Sequence, residues 1–231
     1  MADIEPRVLV ACTCVGEFQK FYRGFMDCIS QLDYPKDKWE LYFSKPQIPP
    51  PGEMINNTGR GLSIKYALDN GFDWVMFIDV DIRPDKDVIS KFLALNYPFV
   101  AAGLCPSDDS NWCIGHIYED RKLRKRLAIT KEYLVEPKTV DGAGGGLMMI
   151  HRWILKKIDM SLYKGPQAYL EGYQGSDEFM DNQIFEKTGF KPKIDSSIKA
   201  WHIARDGHCA ARLWDKMVTG SFSEFFEEMP K

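Results

Sequence analysis

Three features of the sequence predict an α/β fold in which a mostly parallel central sheet is flanked by helices. Strand-like and helical segments alternate from the N-terminus, strand-helix-strand-helix-strand, an order that right-handed crossovers turn into neighbouring parallel strands. The strands are continuous apolar runs rather than alternating ones, as expected of strands covered on both faces. One such run, "WVMFIDVDIRP" (74–84), ends on two carboxylates, Asp79 and Asp81, and open α/β sheets bind ligands beyond the C-terminal ends of their strands.

Each element follows from its own residues. "RVLVACTC" (7–14) is a strand without charge after Arg7. "GEFQKFYRGFMDCISQL" (16–32) places apolar residues at 18, 21, 22, 25, 28, 29 and 32, a helical spacing. "DYPKD" breaks it before a second strand, "WELYF" (39–43), and "KPQIPPPGE" (45–53) is a proline-rich loop. "GRGLSIKYALDNGF" (59–72) predicts a helix closing near Asn70, with Gly71 suited to a left-handed cap, and the strand at 74–78 follows. Downstream come a helix over 85–95, a buried strand over 98–106, and a polar, weakly alternating region at 107–139 read as an exposed hairpin or mobile flap. "GLMMI" (146–150) is a strand, "HRWILKKI" (151–158) a short helix, "DEFMDNQIFEKTGF" (177–190) a helix ended by Gly189, and "AWHIA" (200–204) an apolar stretch near the end of the sheet. No repeat or linker divides the 231 residues, so a single domain is expected.

Composition narrows the function. The net charge of −3 comes from nearly balanced acids and bases, which gives no global attraction to nucleic acid. The basic residues Arg121, Lys122, Arg124, Lys125 and Arg126 read as a solvated face, with phosphate contact as the alternative. The N-terminus is acidic where a signal peptide is basic, and no apolar run reaches the roughly 18 residues of a membrane helix, so a cytoplasmic protein without an integral membrane segment is expected. Six cysteines are then expected as reduced, mostly buried thiols.

The chemistry centres on Asp79 and Asp81. Two apart in an extended backbone, they point to the same side, and like charges held that close repel unless a cation lies between them. Hard oxygen ligands suit Mn²⁺ or Mg²⁺, which keep positions open for waters and phosphates. "VDGAGGGLMM" (140–149) runs glycines 142 and 144 to 146 into a strand, which lets a substrate approach the backbone. "GSDEFMDNQ" opens a helix with Ser176 as N-cap and Asp177 and Glu178 in the first turn, where the helix dipole alone would favour acids. His202 sits inside "AWHIA", and a lone apolar histidine is most simply structural.

In order and spacing these segments resemble the GT-A glycosyltransferases of the family 2-like group, over roughly residues 7 to 205. "ISQLDYPKDKWELYF" is similar to that group's helix and second strand, and "GRGLSIKYALDNGFDWVMFIDVDIRP" to its small-residue helix and Asp-x-Asp. "GAGGGLMMIHRWIL" resembles its acceptor-side glycine strand, and "SDEFMDNQIFEKTGF" its acidic helix. The resemblance implies a GT-A fold whose first half (1–106) binds a UDP- or GDP-linked sugar and whose second (107–231) binds a glycan or other hydroxyl acceptor. It implies Asp81 as a direct ligand of Mn²⁺ or Mg²⁺, Asp79 on metal or donor, and His202 as a third metal ligand. Donor contacts fall on Thr13, Val15, Glu17, Ser44, Arg60, Asp79, Gly144 and Gly145. The catalytic base falls on Glu178 or Asp177, with Asp181 one turn away; the family's Glu-Asp order is reversed in this chain. Inversion at the anomeric carbon is the expected outcome, and the 107–139 segment is expected to order over the donor. A haloacid-dehalogenase-like phosphohydrolase fits poorly, since its carboxylates follow the first strand, and a nucleotidyltransferase needs a glycine-rich basic loop that "CTCVGEFQ" lacks. A sugar- or nucleotide-binding module with a decayed site is the non-enzymatic alternative.

Overall fold

The computed structural model describes residues 5–13, 21–44, 54–104, 112–120, 125–134, 136–159, 176–195, 197–198, 200–203 and 209–210. In chain order these form β1 (Val8–Thr13), α1 (Tyr22–Ser30), β2 (Trp39–Ser44), α2 (Met54–Asp69), β3 (Trp74–Ile78), β4 (Ile82–Pro84), α3 (Val88–Ala94) and β5 (Phe99–Ala102). There follow β6 (Trp112–Asp120), β7 (Lys125–Thr130), β8 (Lys138–Thr139), β9 (Gly142–Ala143), β10 (Leu147–His151), α4 (Arg152–Leu155), α5 (Ser176–Thr188), β11 (Lys193–Asp195), β12 (Ala200–Ile203) and β13 (Cys209–Ala210). Among the described residues no helix is long and apolar enough to cross a membrane.

The central sheet has the order β2-β1-β3-β10-β5-β11-β8. β1 is parallel to β2 and β3, and β11 is parallel to β5. β10 runs antiparallel between β3 and β5, and β8 antiparallel on β11, so most strands share one direction, as the sequence predicts.

The apolar runs divide between the two faces by strict alternation, the two-residue period of the pleat. Leu9, Ala11, Val75, Phe77, Phe99, Ala101, Met148 and Ile150 face one layer, packed with Ile64 and Ala67 of α2, Ile154 and Leu155 of α4, and Phe179, Met180 and Ile184 of α5. Val8, Val10, Cys12, Met76, Ile78, Val100, Leu147 and Met149 face the other, packed with Phe25 and Ile29 of α1 and with Val88, Ile89 and Phe92 of α3. Gly71 and Gly189 adopt φ of 72° and 74° just past α2 and α5; the sequence predicts a left-handed cap at Gly71 and a helix end at Gly189.

The structure corrects several boundaries. α2 starts at Met54, five residues before the predicted 59; α1 lies within the predicted 16–32 helix, of which residues 16–20 lie outside the described residues. The 107–139 region does contain a hairpin, β6 with β7, but it is not simply exposed: Ile129 and, just beyond it, Leu134 are fully buried. β12, which carries His202, is not in the central sheet; it joins a separate sheet of order β13-β12-β4. The short strands β4, β8, β9, β11 and β13 span two or three residues each, too few for any periodicity to register. Cys12 and Cys28 are buried thiols outside any disulfide, and burial pushes the Cys28 thiol up to about 11.

Candidate active site

The Asp79–Asp81 segment lies where β3 ends, but its backbone is a turn and not the extended strand expected. Ile82 N donates to Asp79 O at 3.0 Å, and Asp79 N donates across to Gly146 O at 2.9 Å. Val80 points into the core, while Asp79 and Asp81 on either side of it are half-buried. A turn with one anchored apolar residue between two carboxylates holds both at the surface without a strand's pleat.

Arg83 fixes this turn from below. Its fully buried guanidinium donates from Nη1 to Val80 O (2.7 Å) and Ile82 O (3.0 Å), and from Nη2 to Phe21 O (2.9 Å) ahead of α1. β12 pairs antiparallel with β4, with His202 opposite Ile82, the residue after Asp81. Among the described residues no three His, Cys, Asp or Glu side chains converge into a metal cage.

The glycine run ends beside the same turn, and its space is filled by the chain's own side chains. The His116 ring lies over Gly142, where an added Cβ would collide with it. Arg60 and Asp177 meet over Gly145, again in the volume a Cβ would need. A Cβ on Gly146 would stand 3.4 Å from Asp79 Oδ2 and 3.0 Å from Leu104 Cδ1. Where the sequence predicts close approach of a substrate, four polar side chains of the protein itself, His116, Arg60, Asp177 and Asp79, stand over Gly142, Gly145 and Gly146. Gly144 is buried between β9 and β10.

α5 brings its acids to that run. Asp177 forms an ion pair with Arg60 through Oδ1 and accepts from Gly145 N through Oδ2 at 2.7 Å. Arg60 is itself buried; burial opposes its charge, but Asp177, Asp79 and Asp181 outweigh that and drive its pKa up. Glu178, also buried, accepts from the Tyr118 hydroxyl at 2.9 Å through Oε1. Asp181 is buried one turn on and accepts from Ala143 N at 2.7 Å through Oδ2, while Oδ1 has no partner among the described residues. Burial raises its carboxyl well above the ordinary range, the charges of Asp177 and Glu178 act in the same direction, and the Ala143 N–H and Arg60 offset only part of this.

The predicted donor side is only partly described. Thr13 and Ser44 face each other in register at the C-terminal ends of β1 and β2, and the buried Ser44 hydroxyl donates to Cys12 O at 3.5 Å. Val15 and Glu17 lie outside the described residues. So do Arg121, Lys122 and Arg124, while Lys125 pairs with Glu119 at 2.6 Å on the hairpin. The structure therefore brings Arg60, Asp79, Gly145, Asp177, Glu178 and Asp181 together. It adds Tyr118, Asn182 and Arg83, which sequence reasoning did not single out. Asn182, four residues after Glu178 and so on the same helix face, was the one of these with a local signal.

No protein-family model matches the chain, and no curated protein matches it by sequence. Solved structures do match. A197 from STIV superposes with a TM-score of 0.56 at 17% identity, covering 93% of this chain and 94% of A197. S. aureus TarS 1-349, in complex with UDP-GlcNAc, superposes with a TM-score of 0.53 at 12% identity over 82% of this chain. The fold is that of the GT-A glycosyltransferases. This chain spans 56% of the TarS fragment and 94% of A197. In the GT-A fold described above, the Asp79 turn and the start of α5 meet on two successive glycines of one strand approach, Gly146 and Gly145.

Proposed function

We propose that this protein transfers a sugar from a nucleotide-diphosphate donor to a hydroxyl acceptor. The observation that carries the reading is the meeting of two carboxylate groups at the C-terminal edge of β3. Gly146 O takes the Asp79 N–H and Gly145 N–H binds Asp177, so the donor-side turn and the acidic helix are spaced by one peptide unit. A site of two half-buried carboxylates beside a buried cation and a second acidic cluster suits a reaction with an anionic leaving group and a proton to remove.

The roles we assign follow from the contacts. Asp79 and Asp81 would hold a divalent cation, with His202 as third ligand from its register opposite Ile82; two carboxylates and an imidazole suit Mn²⁺, and two carboxylates alone suit Mg²⁺. When bound, that ion would neutralise charge developing on the leaving diphosphate. Arg60 holds Asp177, and its positive charge is stabilised by Asp177 and Asp79. Thr13 and Ser44 line the β1–β2 end, where the nucleoside would lie. Glu178 is the base in this reading by its position in the first turn of α5, and Asp177, with one oxygen on Arg60 and the other on Gly145 N, ties that turn to the glycine run. The acceptor hydroxyl gives its proton to Glu178 as its oxygen bonds to the anomeric carbon, and the bond from that carbon to the diphosphate oxygen breaks. Attack from the face opposite the leaving group inverts the configuration.

UDP-GlcNAc in the TarS complex makes UDP-sugars the first donors to try, with GDP-sugars second. A thermal-shift screen of both classes, with and without Mn²⁺, tests the reading. Saturation near 100 Kd stabilises the native state by about 2.7 kcal/mol, so one nucleotide class should raise Tm by several degrees only with Mn²⁺. Asp81→Ala should abolish that rise. No shift with any nucleotide would overturn the transferase reading, and a shift without Mn²⁺-dependent hydrolysis of any sugar nucleotide would favour a binding module instead.

A further inference from the structure

We propose that Tyr118 is a positioning residue for Glu178, which makes the β6–β7 hairpin part of the acceptor-side machinery. The inference rests on the assignment of Glu178 as base and goes beyond it to what holds that base in place. The contact joins residues 60 apart in sequence, through the Tyr118 hydroxyl and Glu178 Oε1 at 2.9 Å.

The direction of this hydrogen bond is set by a third group. Asn182 Nδ2 lies 3.1 Å from the Tyr118 oxygen, and an amide nitrogen only donates. The Tyr118 oxygen is therefore an acceptor towards Asn182, and its single proton goes to Glu178. Asn182 Nδ2 also donates to Glu178 O at 2.8 Å, which ties its side chain to its own helix. A tyrosine oriented in this way presents a fixed donor to one carboxylate oxygen, and the carboxylate cannot swing without breaking that bond.

Tyr118 is in turn held from the sheet side. Its backbone N donates to Asp141 Oδ2 at 2.7 Å, and Asp141 Oδ1 pairs with Lys191 at 2.8 Å. Its ring meets His116 at 4.7 Å between centroids and 70° between planes, and His116 lies over Gly142. β6 pairs with β9 at His116↔Gly142, so the hairpin and the glycine run are one sheet at this point. Catalytic groups need positions good to a fraction of an ångström, and a misplacement of about 1 Å can cost on the order of 100-fold in rate. Tyr118, Asn182 and Asp141 supply that constraint for Glu178.

A tyrosine that only docks the hairpin would change stability and leave turnover per folded molecule intact. The test uses the full chain with Mn²⁺ and a set of UDP- and GDP-sugars, reading hydrolysis of the donor with water as acceptor. Tyr118→Phe should lower kcat about 10-fold and leave donor KM within about twofold, less severe than the on the order of 100-fold expected for Glu178→Gln. The double variant should be no slower than Glu178→Gln alone, since Tyr118 acts through Glu178. Asn182→Ala should give a smaller loss of the same kind and serves where Tyr118→Phe does not fold. Independently of donor, the [¹³Cζ]tyrosine NMR signal of Tyr118 should move in Glu178→Gln. An unchanged kcat in folded Tyr118→Phe, multiplicative effects in the double variant, or an unmoved signal would overturn the role. Full turnover in Glu178→Gln, or none with any donor in the wild type, would overturn the base assignment and this role with it.

Discussion

At the scale of single residues, Asp181 is poorly suited to carry charge where it stands. It is buried, three of the charges near it are Asp177, Glu178 and Arg60, and its carboxyl is held well above the ordinary aspartate range, first by burial. A raised folded-state pKa means that protonation favours the folded state. The stabilisation is complete below the ordinary aspartate range and is lost as pH rises through the folded value. Asp181→Asn keeps an oxygen for the Ala143 N–H and removes the titration. It is expected to be more resistant to urea than the parent at about pH 8, with the advantage shrinking towards about pH 4. An advantage that does not change with pH would mean that Asp181 is ionised in the fold. The residues visible in the sequence were those whose meaning is local: an acidic pair after an apolar run, glycines in series, acids in a first helical turn. Tyr118 was hidden because its partner is 60 positions away and its own segment alternates weakly.

At the scale of elements, the turn after β3 depends on β4. Arg83 ties the Val80 and Ile82 carbonyls to Phe21 O, so the turn carrying Asp79 and Asp81 is fixed to the start of α1 as well as to β10. Arg83→Ala would leave three buried carbonyls without this donor and open a cavity, a loss on the order of 3 kcal/mol by urea denaturation. A loss below about 1 kcal/mol would show that water replaces the guanidinium without penalty. β3 was legible because its unbroken apolar run states a buried strand without help from periodicity, and it is found at Trp74–Ile78 as read. β4 was not legible: three residues containing an arginine and a proline carry no strand signature, and only pairing with β12 makes them one.

At the scale of the molecule, the sheet does not divide at residue 106, where the resemblance places the boundary between a donor half and an acceptor half. β10, from the second half of the chain, lies between β3 and β5 of the first, and all its residues before His151 are fully buried. A fragment ending at residue 106 would present β3 and β5 with no strand between them and two uncovered core faces. It is expected to show no cooperative thermal transition by circular dichroism, whereas a sharp transition would mean that the first half is an independent folding unit. The α/β class was readable because continuous apolar strands and alternating helices are statements about the whole chain. The antiparallel insertion of β10 was not, since strand order is decided by contacts among segments far apart in sequence.

Gly145 and Gly146 are neighbours, and each serves a different group of carboxylates. An inserted residue in most surface loops is absorbed by the loop, because nothing on either side counts positions. Between these two glycines there is no slack: one added residue would put a side chain into the Arg60–Asp177 contact or move the Asp79 turn out of register with β10. Length variation in proteins built on this plan should therefore gather before β9 and after β10 and leave the interval between the two carboxylate groups at a fixed number of residues.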